Sequence, residues 1–183
     1  MLLCTTAIAL PAFAALESGD GAPTFETKAS LAGEAFDYSL QAALDTGVVV
    51  VYFYPSAYTK GCNIQAHEFA VHMDQFEAAG ASVIGVSLDN IERLNDFSAD
   101  PDYCAGKLAV ASDKSGDIAR SYELSIRDTI KGATDSRGLE IGHGFAERTT
   151  FIVKQDGEIA ETIGGISARD NVLKSLEAVQ RLQ

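Results

Sequence analysis

The run Val48–Phe53 constrains the fold of this chain most strongly, because it is apolar throughout and consists of β-branched and aromatic residues. A strand that is apolar on both faces belongs in the middle of a sheet covered on both sides. A short polar segment containing Pro55 follows, and after Cys62 apolar side chains recur at helical spacing at positions 66, 69, 73 and 76. The order predicts a buried strand, a loop and a helix that turns Cys62 toward the sheet.

A cysteine at a helix start is chemically distinctive. The first backbone N–H groups of a helix have no intrahelical partner, and the peptide dipoles place roughly +0.5 charge at that end. Both effects favour the thiolate of Cys62 over its thiol, and the thiolate is the nucleophilic form. Thr59 adds a hydroxyl that can donate to the sulfur or to a small oxygen-containing substrate beside it. Pro55 closes the pocket without an unpaired N–H.

The segment 55–62, PSAYTKGC, resembles the proline, threonine and cysteine signature of the peroxiredoxins, P-x-x-x-[TS]-x-x-C. Segment 147–153, ERTTFIV, is similar to the part of that family that carries the active-site arginine, which places the arginine here at Arg148. Segment 86–89, VSLD, is similar to the strand end that follows the first helix of the family. The resemblance extends from about residue 20 to the C-terminus, and three motifs in the right order support it.

The resemblance implies a thiol-dependent peroxidase of the Q type, also called bacterioferritin comigratory protein-like, in the alkyl hydroperoxide reductase and thiol-specific antioxidant family. Cys62 is then the peroxidatic nucleophile, with Pro55, Thr59 and Arg148 around it. The implied substrates are hydrogen peroxide and small organic hydroperoxides, and the implied partner is a thioredoxin-like dithiol reductant. This chemistry requires no metal and no organic cofactor, so we expect neither.

Cys104 is the candidate resolving cysteine, and a buried structural cysteine is the alternative. Q-type peroxiredoxins often place the resolving cysteine five residues after the nucleophile, where this chain has His67. A resolving cysteine in a later helical segment is a known variation of the family. His67 and His72 are five residues apart, so they point away from each other on a helix and do not form a zinc motif.

Two other functions compete with the peroxidase. A disulfide oxidoreductase of the same fold would carry Cys-x-x-Cys at the helix start, but here Asn63, Ile64 and Gln65 follow Cys62. A non-catalytic redox sensor would share the chemistry of Cys62, and only catalytic turnover would distinguish the two.

The remaining pattern predicts a single α/β domain over residues 17–183, a thioredoxin-like fold with a central mixed sheet flanked by helices. Residues 17–35 read as a loose lead-in with a short edge strand near Phe25. An Asp-Gly pair predicts a hairpin between strands 149–153 and 158–163. Residues 125–147 have no periodicity, and a stretch of this length is often functional; we expect it at the mouth of the site.

Residues 1–14 are uncharged and end in Ala12-Phe13-Ala14, which predicts a signal peptide and a periplasmic or secreted protein. The segment has no basic residue, and the alternative is an N-terminal arm of a cytoplasmic protein. Cleavage would remove Cys4 and leave Cys62 and Cys104. The net charge of −12 argues against nucleic-acid and membrane partners. We expect a monomer or a weak homodimer.

Overall fold

A computed structural model describes residues 15–183. The predicted signal peptide, residues 1–14, lies outside the described residues. The elements in chain order are β1 Glu26–Leu31, β2 Glu34–Ser39, α1 Leu40–Leu44, β3 Val48–Phe53, α2 Lys60–Ala78, β4 Ala81–Ser87, α3 Ile91–Ala99, β5 Ala109–Ser112, α4 Asp117–Ser121, β6 Ile126–Arg127, β7 Phe145–Ala146, β8 Thr149–Val153, β9 Ile159–Gly164 and α5 Ala168–Gln180.

Seven strands form one mixed sheet in the order β2-β1-β5-β4-β3-β8-β9. Strands β3, β4 and β5 pair in parallel. Strand β8 pairs antiparallel with β3, and β9 pairs antiparallel with β8. Strand β3 has a neighbour on each side, which confirms the position inferred from its composition. The β8–β9 hairpin turns at Gly157, whose φ of 84° suits glycine.

The two faces of β3 contribute to two separate apolar cores. Val50 and Tyr52 face α2, α3 and α5, together with Cys62 and Cys104. Val49, Val51 and Phe53 face the opposite core, under α1 and α4. This alternation follows from the two-residue period of a strand. It places the sulfur of Cys62 at the carboxyl end of β3, on the side of the sheet covered by α2.

The lead-in prediction was wrong in detail. Strand β1 lies inside the sheet, between β2 and β5, and β2 forms the edge. The exposed positions of this hairpin mix charged and apolar residues: Lys28 pairs with Asp37 across the strands, and Leu31 and Phe36 are also exposed. A half-exposed hairpin carries a weaker apolar signal than a buried strand, so its composition resembles that of a loop.

No helix within residues 15–183 is long and apolar enough to cross a membrane.

Candidate active site

Cys62 is the third residue of α2 and lies in its first turn, as predicted. Its side chain is only 2% exposed. Ala66, Phe69, Met73 and Phe76 extend along the same face of α2 into the core. Thr59 occupies the N-cap, and its carbonyl accepts the first helical hydrogen bond from the N–H of Asn63 at 2.8 Å. Cys62 therefore lies in the turn whose backbone N–H groups have no intrahelical partner.

Arg148 lies directly before β8 and brings its guanidinium to the cysteine. Its Nη2 donates to Sγ of Cys62 at 3.3 Å, and its Nη1 donates to Oε1 of Gln65. Strand β8 pairs with β3, so Thr149 lies opposite Phe53 at the sheet end that leads to the cysteine loop. The sheet register therefore unites Cys62 and Arg148, which are far apart in sequence.

Thr59 contacts the loop and not the sulfur. Its hydroxyl donates to the carbonyl of Ser56 at 2.9 Å, so its proton is occupied. The lone pairs of a hydroxyl still accept, and an O–H group of a bound hydroperoxide is a suitable donor to them. Its geometry thus suits an acceptor role, whereas the sequence interpretation stressed donation.

Pro55 is half-buried and lines a surface pocket together with Arg148. The remaining walls come from the two-stranded β6–β7 ribbon and its flanks, at Ser125, Arg127, Ala146 and Glu147. The segment 125–147 therefore lines a pocket beside Pro55 and Arg148. Its middle part also packs on the loop 55–59, where the N–H of Ser136 donates to the carbonyl of Tyr58 at 2.8 Å.

A buried carboxylate, Asp89, accepts hydrogen bonds from the loop 55–59 and so fixes its position. It is fully buried beyond the end of β4 and accepts hydrogen bonds from the hydroxyls of Ser56 and Ser87 and from the N–H of Ala57. Arg93 Nε lies 2.8 Å from it, and the same guanidinium donates to the carbonyl of Ala57 through Nη2 at 3.0 Å. The loop that precedes Cys62 is thus fixed from both sides.

His143 completes this support. Its Nε2 lies 2.8 Å from Oδ1 of Asp89, and its Nδ1 lies 2.7 Å from the carbonyl of Gly144. Both ring nitrogens face acceptors, so both must carry protons. Burial opposes the charged ring, but the hydrogen bond to Asp89 outweighs it and raises the pKa of His143. Burial likewise opposes the Asp89 carboxylate, yet its bonds to His143 and Ala57 lower its pKa.

Tyr58 is the strained residue of the loop. Its φ of 60° is in the left-handed region that few bulky residues adopt. The Arg137 guanidinium lies 3.3 Å from its ring centroid, and Phe97 and Tyr103 pack edge-on against it. These contacts hold the conformation that carries the chain from β3 into α2.

Cys104 is fully buried and belongs to the same apolar core as Cys62. It lies in the turns between α3 and β5, and no disulfide joins the two cysteines within residues 15–183. Burial, with a smaller effect from Asp100, raises the pKa of the Cys104 thiol well above its ordinary value.

Comparison with known proteins agrees with this geometry. The sequence profile of the AhpC/TSA family matches residues 18–162. The chain belongs to the AhpC/TSA family. Among curated proteins of the family, it is 29% identical to the putative peroxiredoxin bcp of Helicobacter pylori strain J99, over 90% of this chain and 98% of that protein. It is 28% identical to peroxiredoxin Bcp of Escherichia coli K12, over 79% of this chain and 83% of that protein.

Two solved structures show the same fold as this chain. The peroxidoxin BcpB structure from Mycobacterium tuberculosis matches with a TM-score of 0.75 at 24% identity, covering 92% of this chain and 99% of that one. Peroxiredoxin Q from Xanthomonas campestris matches with a TM-score of 0.67 at 23% identity, covering 84% and 89%. The predicted thioredoxin-like α/β fold and the resemblance to Q-type peroxiredoxins are confirmed.

Three polar residues of the site were missed from the sequence as functional candidates. Gln65 and Asn171 are buried although they lie on helices, and His143 lies in the segment without periodicity. Polar helix residues are mostly exposed, so neither amide gave a signal of its own. Asp89 was noted only as part of the segment 86–89, whose similarity to the family did not indicate its contacts.

Proposed function

We propose that this protein is a thiol-dependent peroxidase that reduces hydrogen peroxide and small organic hydroperoxides. The observation that carries the proposal is the 3.3 Å contact between Arg148 Nη2 and Cys62 Sγ in the first turn of α2. The guanidinium places positive charge and a hydrogen-bond donor beside the sulfur at the N-terminal end of a helix, where the peptide dipoles also favour an anion. Membership of the AhpC/TSA family and the peroxiredoxin names of its relatives support the same activity.

In the first step the Cys62 thiolate attacks one oxygen of the hydroperoxide. An S–O bond forms and the O–O bond breaks, so the sulfur becomes a sulfenic acid and the departing oxygen takes a proton and leaves as water or an alcohol. Negative charge grows on that oxygen. Arg148 and the N–H groups of the first turn of α2 are donors positioned to stabilise it. The lone pairs of Thr59 orient the bound peroxide.

In the second step Cys104 resolves the sulfenic acid. Its thiol condenses with Cys62 to form a disulfide and release water, and a thioredoxin-like dithiol protein then reduces the disulfide by exchange. Cys104 is buried, so the step requires local opening. The segment around Cys104 consists of turns held by local main-chain bonds, such as Ala105 N–H to Asp100 at 2.8 Å, and such segments open more readily than packed helices.

Peroxide consumption tests the proposal. With a thioredoxin, thioredoxin reductase and a nicotinamide reductant, the wild-type protein should consume hydrogen peroxide over many cycles. Cys62→Ser should show none. If the wild type reacts once with peroxide and does not turn over with any dithiol reductant, the redox sensor is the correct function. If the wild-type protein does not react with hydrogen peroxide at all, both the peroxidase and the redox sensor are excluded.

We also propose export to the periplasm or the medium, on the composition of residues 1–14 alone. N-terminal sequencing of the protein purified from separate cell fractions would test it: a mature end near Ala15 supports export, and an intact Met1 in the cytoplasm contradicts it. A monomer or weak homodimer is a further proposal, which sedimentation equilibrium would test.

A further inference from the structure

A buried chain of amide groups links the C-terminal helix to the active-site arginine. Asn171 lies in the first turn of α5 and is 1% exposed, and Gln65 on α2 is fully buried. Gln65 Nε2 donates to Asn171 Oδ1 at 2.9 Å, and the other end of Gln65, Oε1, accepts from Arg148 Nη1. Arg148 in turn donates to the sulfur of Cys62. Asn171 thus acts on Cys62 through two intervening side chains.

The orientation of each amide in this chain is determined by its neighbour. An amide side chain has a donor end and an acceptor end. Asn171 Nδ2 donates to the main-chain carbonyl of Ile163 at 3.0 Å, and that carbonyl can only accept. Asn171 Oδ1 must therefore face the other way, where Thr150 Oγ1 also donates to it at 2.6 Å.

The orientation of Asn171 in turn determines that of the Gln65 amide. Because Asn171 presents an acceptor, Gln65 must turn its NH₂ group toward Asn171 and its oxygen toward Arg148. If Gln65 flipped, its NH₂ group would face the guanidinium, donor against donor, on a side chain that is fully buried. Unmatched buried donors are costly, so the flipped state is excluded as long as Asn171 holds its place.

We propose that Asn171 is a positioning residue for peroxide reduction: it fixes the amide of Gln65 so that Arg148 is held against the Cys62 sulfur. The inference rests on the proposed function and deepens it, since it assigns a role in the same site to a residue that does not touch the sulfur. The main-chain carbonyl of Ile163 on β9 sets the orientation of the Asn171 amide, and through it that of Gln65 and Arg148. We call this chain of three side chains the relay.

A purely structural role for Asn171 is the competing explanation. Its main-chain groups bond within α5, where its N–H donates to Ser167 O at 2.9 Å and its carbonyl accepts from Ser175 Oγ at 2.7 Å. Those bonds persist in any substitution other than proline. Ser175 is also fully buried on α5, one turn later, and its hydroxyl donates to the main chain of Asn171 and not to Gln65. Ser175→Ala is therefore the matched control for a lost buried hydrogen bond.

The first test is the single-turnover rate constant with hydrogen peroxide for Asn171→Leu and Asn171→Ala, two variants so that a folding failure of one leaves the other. We expect a loss of about 10-fold, as one misplaced buried hydrogen bond implies. Ser175→Ala should keep the wild-type rate although it lowers the melting temperature. A wild-type rate in either folded Asn171 variant overturns the proposal.

The second test is a double-mutant cycle with Gln65→Glu. Both oxygens of a carboxylate accept, so Glu at this position meets Arg148 whichever way it turns. In that background Asn171→Leu should not slow the reaction further. A packing defect would slow both backgrounds equally, and equal slowing therefore overturns the positioning role.

The failure of this inference and of the proposed function give different results. If wild-type protein does not turn over peroxide, the function is wrong, and alkylation of Cys62 by iodoacetamide, followed on its peptide by mass spectrometry, still tests the relay. Slower alkylation in the Asn171 variants than in Ser175→Ala supports it, and equal rates contradict it.

Discussion

His143 Nε2 lies 2.8 Å from Asp89 Oδ1, directly beneath the loop that leads to Cys62. The other nitrogen of the same ring faces the carbonyl of Gly144, so the imidazole is held as a cation between two acceptors. Asp89 in turn accepts from the N–H of Ala57. The charge state of one histidine is therefore coupled to the support of the active-site loop.

This coupling predicts how stability depends on pH. The folded-state pKa of His143 is raised, so its stabilisation is fully present below the unfolded pKa of about 6.5 and is lost as pH rises through the folded pKa. The folded-state pKa of Asp89 is lowered, so its stabilisation is present above about pH 3.9 and is lost as pH falls through the folded pKa. The pair should stabilise most between these limits.

Urea unfolding of wild type and His143→Gln measures the effect. Near pH 6, the variant should lose about 1.5–3 kcal/mol, the range of a hydrogen bond to a charged group. Near pH 9, the difference should shrink. His67→Gln, on the exposed side of α2, controls for the loss of an imidazole. A difference that stays constant or grows with pH would contradict the assignment of a charged His143.

Arg148 should dominate the reactivity of Cys62. Arg148→Met removes the donor at 3.3 Å from the sulfur, and loss of one transition-state donor typically costs about 10²–10³ in rate. Arg181→Met, a surface arginine paired with Glu161, should react like wild type. Stopped-flow measurement gives the rate constant of each variant with hydrogen peroxide. If both variants react equally fast, the guanidinium has no role in the step.

Replacing Gly61 with alanine should have opposite effects on the stability of the protein and on its rate of peroxide reduction. A Cβ built at this position would lie 3.0 Å from Arg148 Nη2, so with an alanine here the guanidinium must shift by a few tenths of an ångström from its place beside the sulfur. The same change removes a glycine from the first turn of α2, which favours the helix by up to about 1 kcal/mol. We expect Gly61→Ala to melt at or above the wild-type temperature and to reduce peroxide several-fold more slowly. Gly21→Ala, where a Cβ meets open space, should not slow the reaction.

The buried thiol of Cys104 should limit the rate at which the disulfide with Cys62 forms, and not the rate at which peroxide oxidises Cys62. Burial keeps its thiol protonated at neutral pH, and only the thiolate attacks a sulfenic acid readily. Formation of the Cys62–Cys104 disulfide should therefore lag behind peroxide reduction and accelerate as pH rises. Non-reducing peptide mapping at timed intervals follows the bond. In Cys104→Ser, Cys62 should remain a sulfenic acid and then oxidise further; an unchanged cycle in that variant would exclude Cys104 as the resolving residue.

The sequence revealed those parts of the molecule whose signals are local. The composition of Val48–Phe53 placed β3 inside the sheet, and the Asp-Gly turn placed the β8–β9 hairpin. The predicted start of α2 at Cys62 was close to the observed one, since α2 begins at Lys60. Each of these features depends on the period or turn chemistry of a few neighbouring residues.

The support of the site could not be predicted in this way. Gln65 and Asn171 meet across 106 positions, and His143 reaches Asp89 across 54. Polar residues on helices and loops are usually solvated, so burial of these side chains is visible only once the elements pack. Arg148 was found through its resemblance to a family segment, whereas the amide chain that positions it has no such motif.

The most direct test of the central claim is to locate the oxygen after a single turnover. Reduced Cys104→Ser protein is mixed with one equivalent of hydrogen peroxide, trapped with a sulfenic-acid reagent and digested for mass spectrometry. The account predicts close to one trapped oxygen per chain on Cys62, and none when Cys62→Ser is added to the same background. Oxygen found elsewhere, or equal peroxide loss without Cys62, would contradict it.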